Sequence, residues 1–326
     1  DLHPGLGRLG ARDAARDQSL ERRARMKLLL VVALGACGGG QTGARAVTPK
    51  PPSPDEQVLA MLPEGAQIVV EIDLARLRAN ATVGATATQM LGSLGADSHV
   101  PGLPISVLGS PLARADRIVL AAYGVGTAQA ATVTLLVTAG VVPGGIRISP
   151  TLVVLGSEAW AGQVQTRAAL AAEHPLGVPA AMLALRDHAM PKGASGAVVR
   201  ITARLSFDAR IALARMTGLT SSPAELSLWC DLDDDLAVVV DADASDPSDR
   251  SAQAKQRSAR ELAHSLRGVL TTLADTQLMR SLGVPTSLVD ARLVTEGTWV
   301  RTIIEVGPRH LARVAERARA MLAAPP

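Results

Sequence analysis

The chain reads as α+β, with antiparallel strands and helices packed on one face of the sheets they form. Three observations predict this. Short aliphatic runs with period-two alternation come in adjacent pairs separated by Gly- or Asp-rich turns, the pattern of hairpins. Between the pairs lie longer stretches with apolar residues at three-to-four-residue spacing, the pattern of amphipathic helices. Hairpins in series give antiparallel pairing, and helices between them must bury an apolar stripe against a sheet. The core has to be aliphatic, because 326 residues include only three Trp, one Tyr and one Phe.

The elements follow in order. Gln67–Asp73 alternates Ile68, Val70 and Ile72 against Glu71 and Asp73, and predicts a strand. Asp73 is placed to cap a helix running from Leu74 to about Leu91. Seven Gly and Pro residues between 92 and 113 predict a long irregular connection. Strands follow over Arg117–Tyr123 and Ala131–Val137, joined through Gly124-Val125-Gly126. Thr151–Leu155 is a further strand, leading into a helix from about Glu158 to Ala172.

The second half runs in a similar order. Ala197–Leu205 is a strand and Phe207–Met216 a helix. Ala224–Leu232 and Leu236–Ala244 form a hairpin turning at Asp233-Asp234-Asp235. Ser251–Leu273 is a long amphipathic helix. Ser287–Thr295 and Trp299–Val306 form another hairpin around Glu296-Gly297-Thr298. Pro308 opens a final helix ending near Leu322, Pro being suited to a first helical turn. The expectation is two similar strand–helix–hairpin halves, residues 55–190 and 191–326.

Charge argues against a nucleic-acid partner. The formal net charge is +3, but residues 1–36 carry seven basic and four acidic side chains, which accounts for all of it. The remaining 26 basic and 26 acidic side chains cancel. Single-stranded nucleic acid also calls for aromatic stacking platforms, and few are present.

The N-terminal region has a distinct character. A basic stretch, Glu21-Arg22-Arg23-Ala24-Arg25-Met26-Lys27, precedes the apolar run Leu28-Leu29-Leu30-Val31-Val32-Ala33, which ends in Leu34-Gly35-Ala36-Cys37. Basic, apolar and small-residue regions in that order make a secretory signal. The apolar run is about half of the roughly 20 residues a spanning helix needs. Met26 is a candidate start with residues 1–25 upstream of it; alternatively the upstream arginines supply a longer basic region. Residues 38–54 begin Gly38-Gly39-Gly40 and end Thr48-Pro49-Lys50-Pro51-Pro52-Ser53-Pro54, the composition of a solvated tether.

The sequence Leu34-Gly35-Ala36-Cys37 resembles the lipobox of bacterial lipoproteins. The resemblance implies that residues 1–36 are a signal peptide cut before Cys37, and that Cys37 carries a covalent lipid. In such lipoproteins the absence of Asp after the lipidated Cys implies export to the outer membrane, and Gly38 stands there. The body is similar, over Leu62-Pro63-Glu64-Gly65-Ala66 and Glu71–Leu77, to uncharacterised envelope lipoproteins of high-GC Gram-negative bacteria. That likeness brings no catalytic residues with it.

Other motifs carry little chemistry. Gly5-Leu6-Gly7-Arg8-Leu9-Gly10 fits a dinucleotide fingerprint, but no strand precedes it, and the motif works only between a strand and a helix. Asp231, Asp233 and Asp235 are the candidate metal ligands; an EF-hand loop would need Gly where Leu236 stands, and turn chemistry accounts for the acidic residues. No two His residues have metal-ligand spacing, and no Ser sits in a G-x-S-x-G frame. Cys230 lies on an apolar strand face and reads as a buried thiol.

The expectation is therefore a lipid-anchored protein on the periplasmic face of the outer membrane, with a non-enzymatic binding or scaffolding role. Its partners would be the membrane, through the anchor, and an envelope protein or cell-wall polymer. No cofactor is expected beyond the lipid on Cys37. The alternatives are a periplasmic carrier of an apolar ligand such as a lipid and, less favoured, a hydrolase with a dispersed site.

Overall fold

A computed structural model describes residues 53–93, 112–174, 176–194, 196–246, 249 and 251–323. Leu34, Gly35, Ala36, Cys37 and nearly all of the tether lie outside the described residues. Among the described residues ten strands form one sheet: β1 (Ile68–Asp73), β2 (Arg117–Tyr123), β3 (Ala131–Val137), β4 (Ile146–Ser149), β5 (Leu152–Leu155), β6 (Val199–Arg204), β7 (Glu225–Leu232), β8 (Leu236–Asp243), β9 (Arg292–Glu296) and β10 (Trp299–Val306). Their order across the sheet is β4-β5-β3-β2-β1-β6-β7-β8-β10-β9, and every neighbouring pair is antiparallel. Outward from the central β1–β6 pair the two arms have the same connectivity. In each, three strands follow in sequence, then the fifth, then the fourth at the edge.

The register assigns side chains to faces. Ile72, Ile118, Leu136 and Val153 lie opposite one another across β1, β2, β3 and β5, and Val199, Cys230, Val238 and Ile304 continue the row across the other arm. Their neighbours Glu71, Val119, Leu135, Arg200, Trp229 and Val239 point the other way, because successive strand residues alternate.

The first face is covered by α2 (Leu74–Ala79), α3 (Gly84–Ser93), α7 (Ala252–Ala274), α8 (Gln277–Leu282), α9 (Pro285–Val289) and α10 (Pro308–Ala323). Leu74, Leu262, Leu273, Met279, Leu288 and Leu311 supply the buried side chains. The second face is covered by α1 (Pro54–Ala60), α4 (Glu158–Glu173) and α5 (Ala180–His188), through Leu59, Leu62, Ala161, Val164 and the residues after α5. A last helix, α6 (Phe207–Thr217), follows β6.

The α+β class and the antiparallel pairing are as the sequence predicts. The expectation of several sheets with helices on one face is corrected: the described residues form a single sheet, and helices cover both of its faces. The physical reason is visible in β3 and β5, where Val133, Leu135, Leu136, Val153 and Val154 are all buried, so neither face of that arm is left to solvent.

Three local differences matter. The helix expected over 74–91 breaks after Ala79, because Asn80 turns extended and its side chain accepts the Thr82 and Val83 amides. The strand expected from Ser287 starts at Arg292, because Pro285 opens a short helix. The helices α1, α5 and α8 and the short strand β4 had no expected counterpart.

Candidate functional site

The second face of the sheet carries a band of charged side chains that the register alone would leave as polar residues in a core. Glu71 of β1 and Arg200 of β6 are direct cross-strand neighbours. Thr202, Ser227, Asp241 and Arg301 line up across β6, β7, β8 and β10. The C-terminal turn of α5 lies over this band and delivers Arg186, Asp187 and His188 to it.

Arg186 is the centre of the first group. Its Nε donates to Glu71 Oε1 at 2.7 Å and its Nη2 to Glu71 Oε2 at 2.9 Å, a two-point guanidinium–carboxylate pair. Both side chains are nearly buried, at 7% and 8% exposure. Asp55, from the first turn of α1, stands 3.8 Å from Arg186 and also pairs with Arg117, which reaches Asp73 at 3.4 Å. Asp187 accepts from Arg200 at 2.8 Å.

Burial works against the Arg186 cation, but the hydrogen bonds and charge of Glu71, with Asp187 and Asp55, more than offset it and raise its affinity for the proton. Arg200 goes the other way. Burial and the like charge of Arg186 lower it, and Asp187, Glu71 and Asp55 only partly compensate.

Asp241 anchors the second group and is 1% exposed. Its Oδ1 accepts from Arg301 Nε at 2.7 Å, and its Oδ2 is 2.7 Å from His188 Nδ1 and also bound by Arg301 Nη2. Trp299 stacks on the His188 ring, with centroids 3.9 Å apart. A carboxylate that holds Nδ1 of a partly exposed imidazole is one component of general-base chemistry. Here the same carboxylate is also paired with Arg301. The nearby Ser227 hydroxyl is committed to the Ala189 amide and the Arg186 carbonyl. No nucleophile is presented to His188 by these bonds.

An open cleft of about 530 Å³ lies where β1, β6, β7 and β8 end. It is lined by Gln67, Arg204, Leu205, Ser206, Ala224, Glu225, Asp243 and Ser245. Its charges are also self-paired: Arg204 meets Glu225 at 2.8 Å, and Asp243 accepts from the Ser245 amide and hydroxyl. Gln67 donates to Ser206 at 3.0 Å across it.

The residues proposed as metal ligands from the sequence are placed otherwise. Asp231 and Asp233 both receive Arg76, at 2.7 and 3.0 Å, and Asp235 is exposed. Asn80 binds the Leu232 and Asp233 carbonyls, so this turn docks onto the break between α2 and α3. Among the described residues no group of three or more His, Cys, Asp or Glu side chains could hold a metal ion. Cys37 lies outside the described residues. Cys230 is buried on the first face at 1% exposure, and burial, aided by Asp231, raises its thiol well above the ordinary range.

Sequence reasoning missed Glu71, Arg186, Arg200, His188 and Arg301 as a group. A signal existed for Glu71 and Arg200: each is a charge on a strand with apolar neighbours on both sides. Their partners sit on α5, which was not anticipated.

No helix among the described residues is long and apolar enough to cross a membrane. No protein-family model and no curated protein matches the chain. Among solved structures, two crystal forms of the protein TP0453 are similar to it. Form I has a TM-score of 0.40 at 8% identity, covering 79% of this chain and 96% of that one. Form III has a TM-score of 0.42 at 10% identity, covering 78% and 96%.

Proposed function

We propose that this chain is a lipid-anchored lipoprotein of the bacterial envelope, held by a lipid on Cys37 and the tether over residues 38–54. Its body acts as a non-enzymatic binding or scaffolding platform on the periplasmic face of the outer membrane. The observation that carries the non-enzymatic part is that the buried charges are consumed by one another. Both Glu71 oxygens go to Arg186, and both Asp241 oxygens go to Arg301 and His188. A carboxylate acting directly on a substrate needs an open lone pair or proton aimed at it, and the Ser227 hydroxyl near the His188–Asp241 pair is committed to backbone groups. A sheet braced in this way supports a rigid surface.

The alternative of an apolar-ligand carrier has less support. The apolar rows on both sheet faces are filled by helix side chains, so an acyl chain would have to displace Leu262, Leu273 or Met279 on one face, or Leu59 and Val164 on the other.

Anchoring is tested by Cys37→Ser. The expected result is release of the protein from washed membranes, with wild type retained and carrying lipid on its mature N-terminus. Retention of the variant together with an unlipidated N-terminus would overturn the reading.

A further inference from the structure

We propose that β9 is a self-complementary sheet edge, and that a second copy of this chain pairs with it antiparallel about a two-fold axis through Val294. Both ends of the sheet are edges, but only one is protected. At the far end, β4 is four residues long and has a register irregularity between Arg147 and Ser149. The Arg147 side chain folds back onto the Thr138, Gly140 and Pro150 carbonyls. Shortness, a bulge and a folded-back charge are the devices that keep a strand edge from pairing. The strand β9 is five residues long, keeps an unbroken register against β10, and carries Arg292 and Glu296 at its two ends. Four of its five residues are exposed, and Val294 is 38% exposed.

The outward hydrogen-bonding groups follow from the hairpin. Glu296 lies opposite Trp299 across a two-residue turn, with Gly297 at a φ of 62° supplying the backbone form such a turn needs. The pair that closes a two-residue hairpin is hydrogen-bonded, and bonded pairs alternate along the strands. Glu296, Val294 and Arg292 therefore bond inward to β10. Leu293 and Thr295 point their N–H and C=O groups at the free edge.

An antiparallel copy satisfies those four groups when Leu293 of each chain faces Thr295 of the other. That register places Val294 against its own copy and each Arg292 against the other chain's Glu296. These three side chains share one face, since they occupy alternate positions. Both end pairs are of opposite charge, and the centre is an apolar contact. Shifting the register by two residues either way leaves only one self-paired position, Thr295 or Leu293, bonded within the strand, and breaks both charge pairs.

The test uses the full chain carrying Cys37→Ser, which leaves the buried Cys230 as its native thiol. Sedimentation across a concentration series is expected to show a monomer–dimer equilibrium. Arg292→Glu or Glu296→Arg alone puts like charges opposite, and should raise the dimer dissociation constant about tenfold or more. The double variant, Arg292→Glu with Glu296→Arg, should return it to within about threefold of the parent.

In the proposed register the two Val294 Cα atoms form a non-hydrogen-bonded pair about 4.5 Å apart, within disulfide range. Val294→Cys should thus cross-link under mild oxidation, and Thr295→Cys should not. A monomer at every concentration would overturn the proposal, as would a dimer indifferent to charge reversal or equal cross-linking at 294 and 295. None of these outcomes bears on Cys37, so the anchoring reading stands or falls separately.

Discussion

Glu71 sits on the inner edge of one arm of the sheet and is answered from two sides, by Arg186 above it and Arg200 beside it. Removing two charges from water is costly, and their pairing offsets this only while both are present. Glu71→Ala would leave the buried Arg186 guanidinium without its main carboxylate and remove a compensating charge beside Arg200. It should destabilise the fold by about 3–5 kcal/mol, read as a lower urea midpoint at unchanged slope. Glu71→Leu with Arg186→Met should recover the larger part of that loss, because apolar side chains of similar size remove the desolvation problem. A single variant as stable as wild type would show that the network does not brace the sheet.

Cys230 gives a second prediction at this scale. Burial raises its thiol, with Asp231 adding to the effect, so the folded chain keeps a proton that the unfolded chain releases. The stabilisation is complete below the unfolded thiol value of about 8.5 and is lost progressively above it. Between about pH 9 and pH 10.5, wild-type stability should fall more steeply than that of Cys230→Ala, by up to about 1.4 kcal/mol per pH unit. Urea titrations at stepped pH measure both slopes, and parallel slopes would show the thiol to be uncoupled from folding.

At the level of elements, glycine separates a built break from an ordinary helix. Gly84 opens α3 where a Cβ would overlap the Arg78 carbonyl, whereas a Cβ on Gly268 inside α7 meets nothing. Gly84→Ala should destabilise by about 1–3 kcal/mol, the range for forcing a backbone apart. Gly268→Ala should stabilise by about 0.8–1 kcal/mol, the difference in helix propensity. Denaturation midpoints moving in opposite directions are the expected reading, and a neutral Gly84→Ala would remove the steric account of the break.

The strands with period-two alternation were legible at this level because each states its own buried face. Others were not, β4 and α5 among them. The run Ile146-Arg147-Ile148-Ser149 is held on one side only and by a four-residue partner, too short to show a period. The run Ala180–His188 mixes apolar and charged residues around the helix. Its job becomes visible only when Arg186 meets Glu71, 115 residues away, and His188 meets Asp241, 53 residues away. The candidate site was hidden for the same reason. Glu71 and Arg200 stand out as charges between apolar strand residues, but the chemistry comes from pairs that sequence spacing does not encode.

For the whole molecule, the sequence carried the idea of two similar halves, and the sheet shows the same strand connectivity in each arm. The packing crosses that division. The helix α5 belongs to the first half in sequence, yet Ala189 and Met190 at its end pack with Trp229 and Val239 of the second. A second copy paired at β9 would extend the sheet beyond one chain, and the charge-reversal series measures whether it does.

The central β1–β6 pair has a consequence for how the chain reaches this state. Register places Ile72 against Val199, so β1 has only β2 beside it until the second half of the chain has been made or released. Closing so distant a pairing is slow, and a waiting edge is where a nascent chain captures wrong neighbours. Glu71 stands in the middle of that edge, and its partner Arg186 precedes β6 in the chain. An inward-pointing charge discourages foreign strands. Glu71, which braces the finished sheet through Arg186, is thus also a charge of the kind that discourages foreign strands while β1 waits for β6.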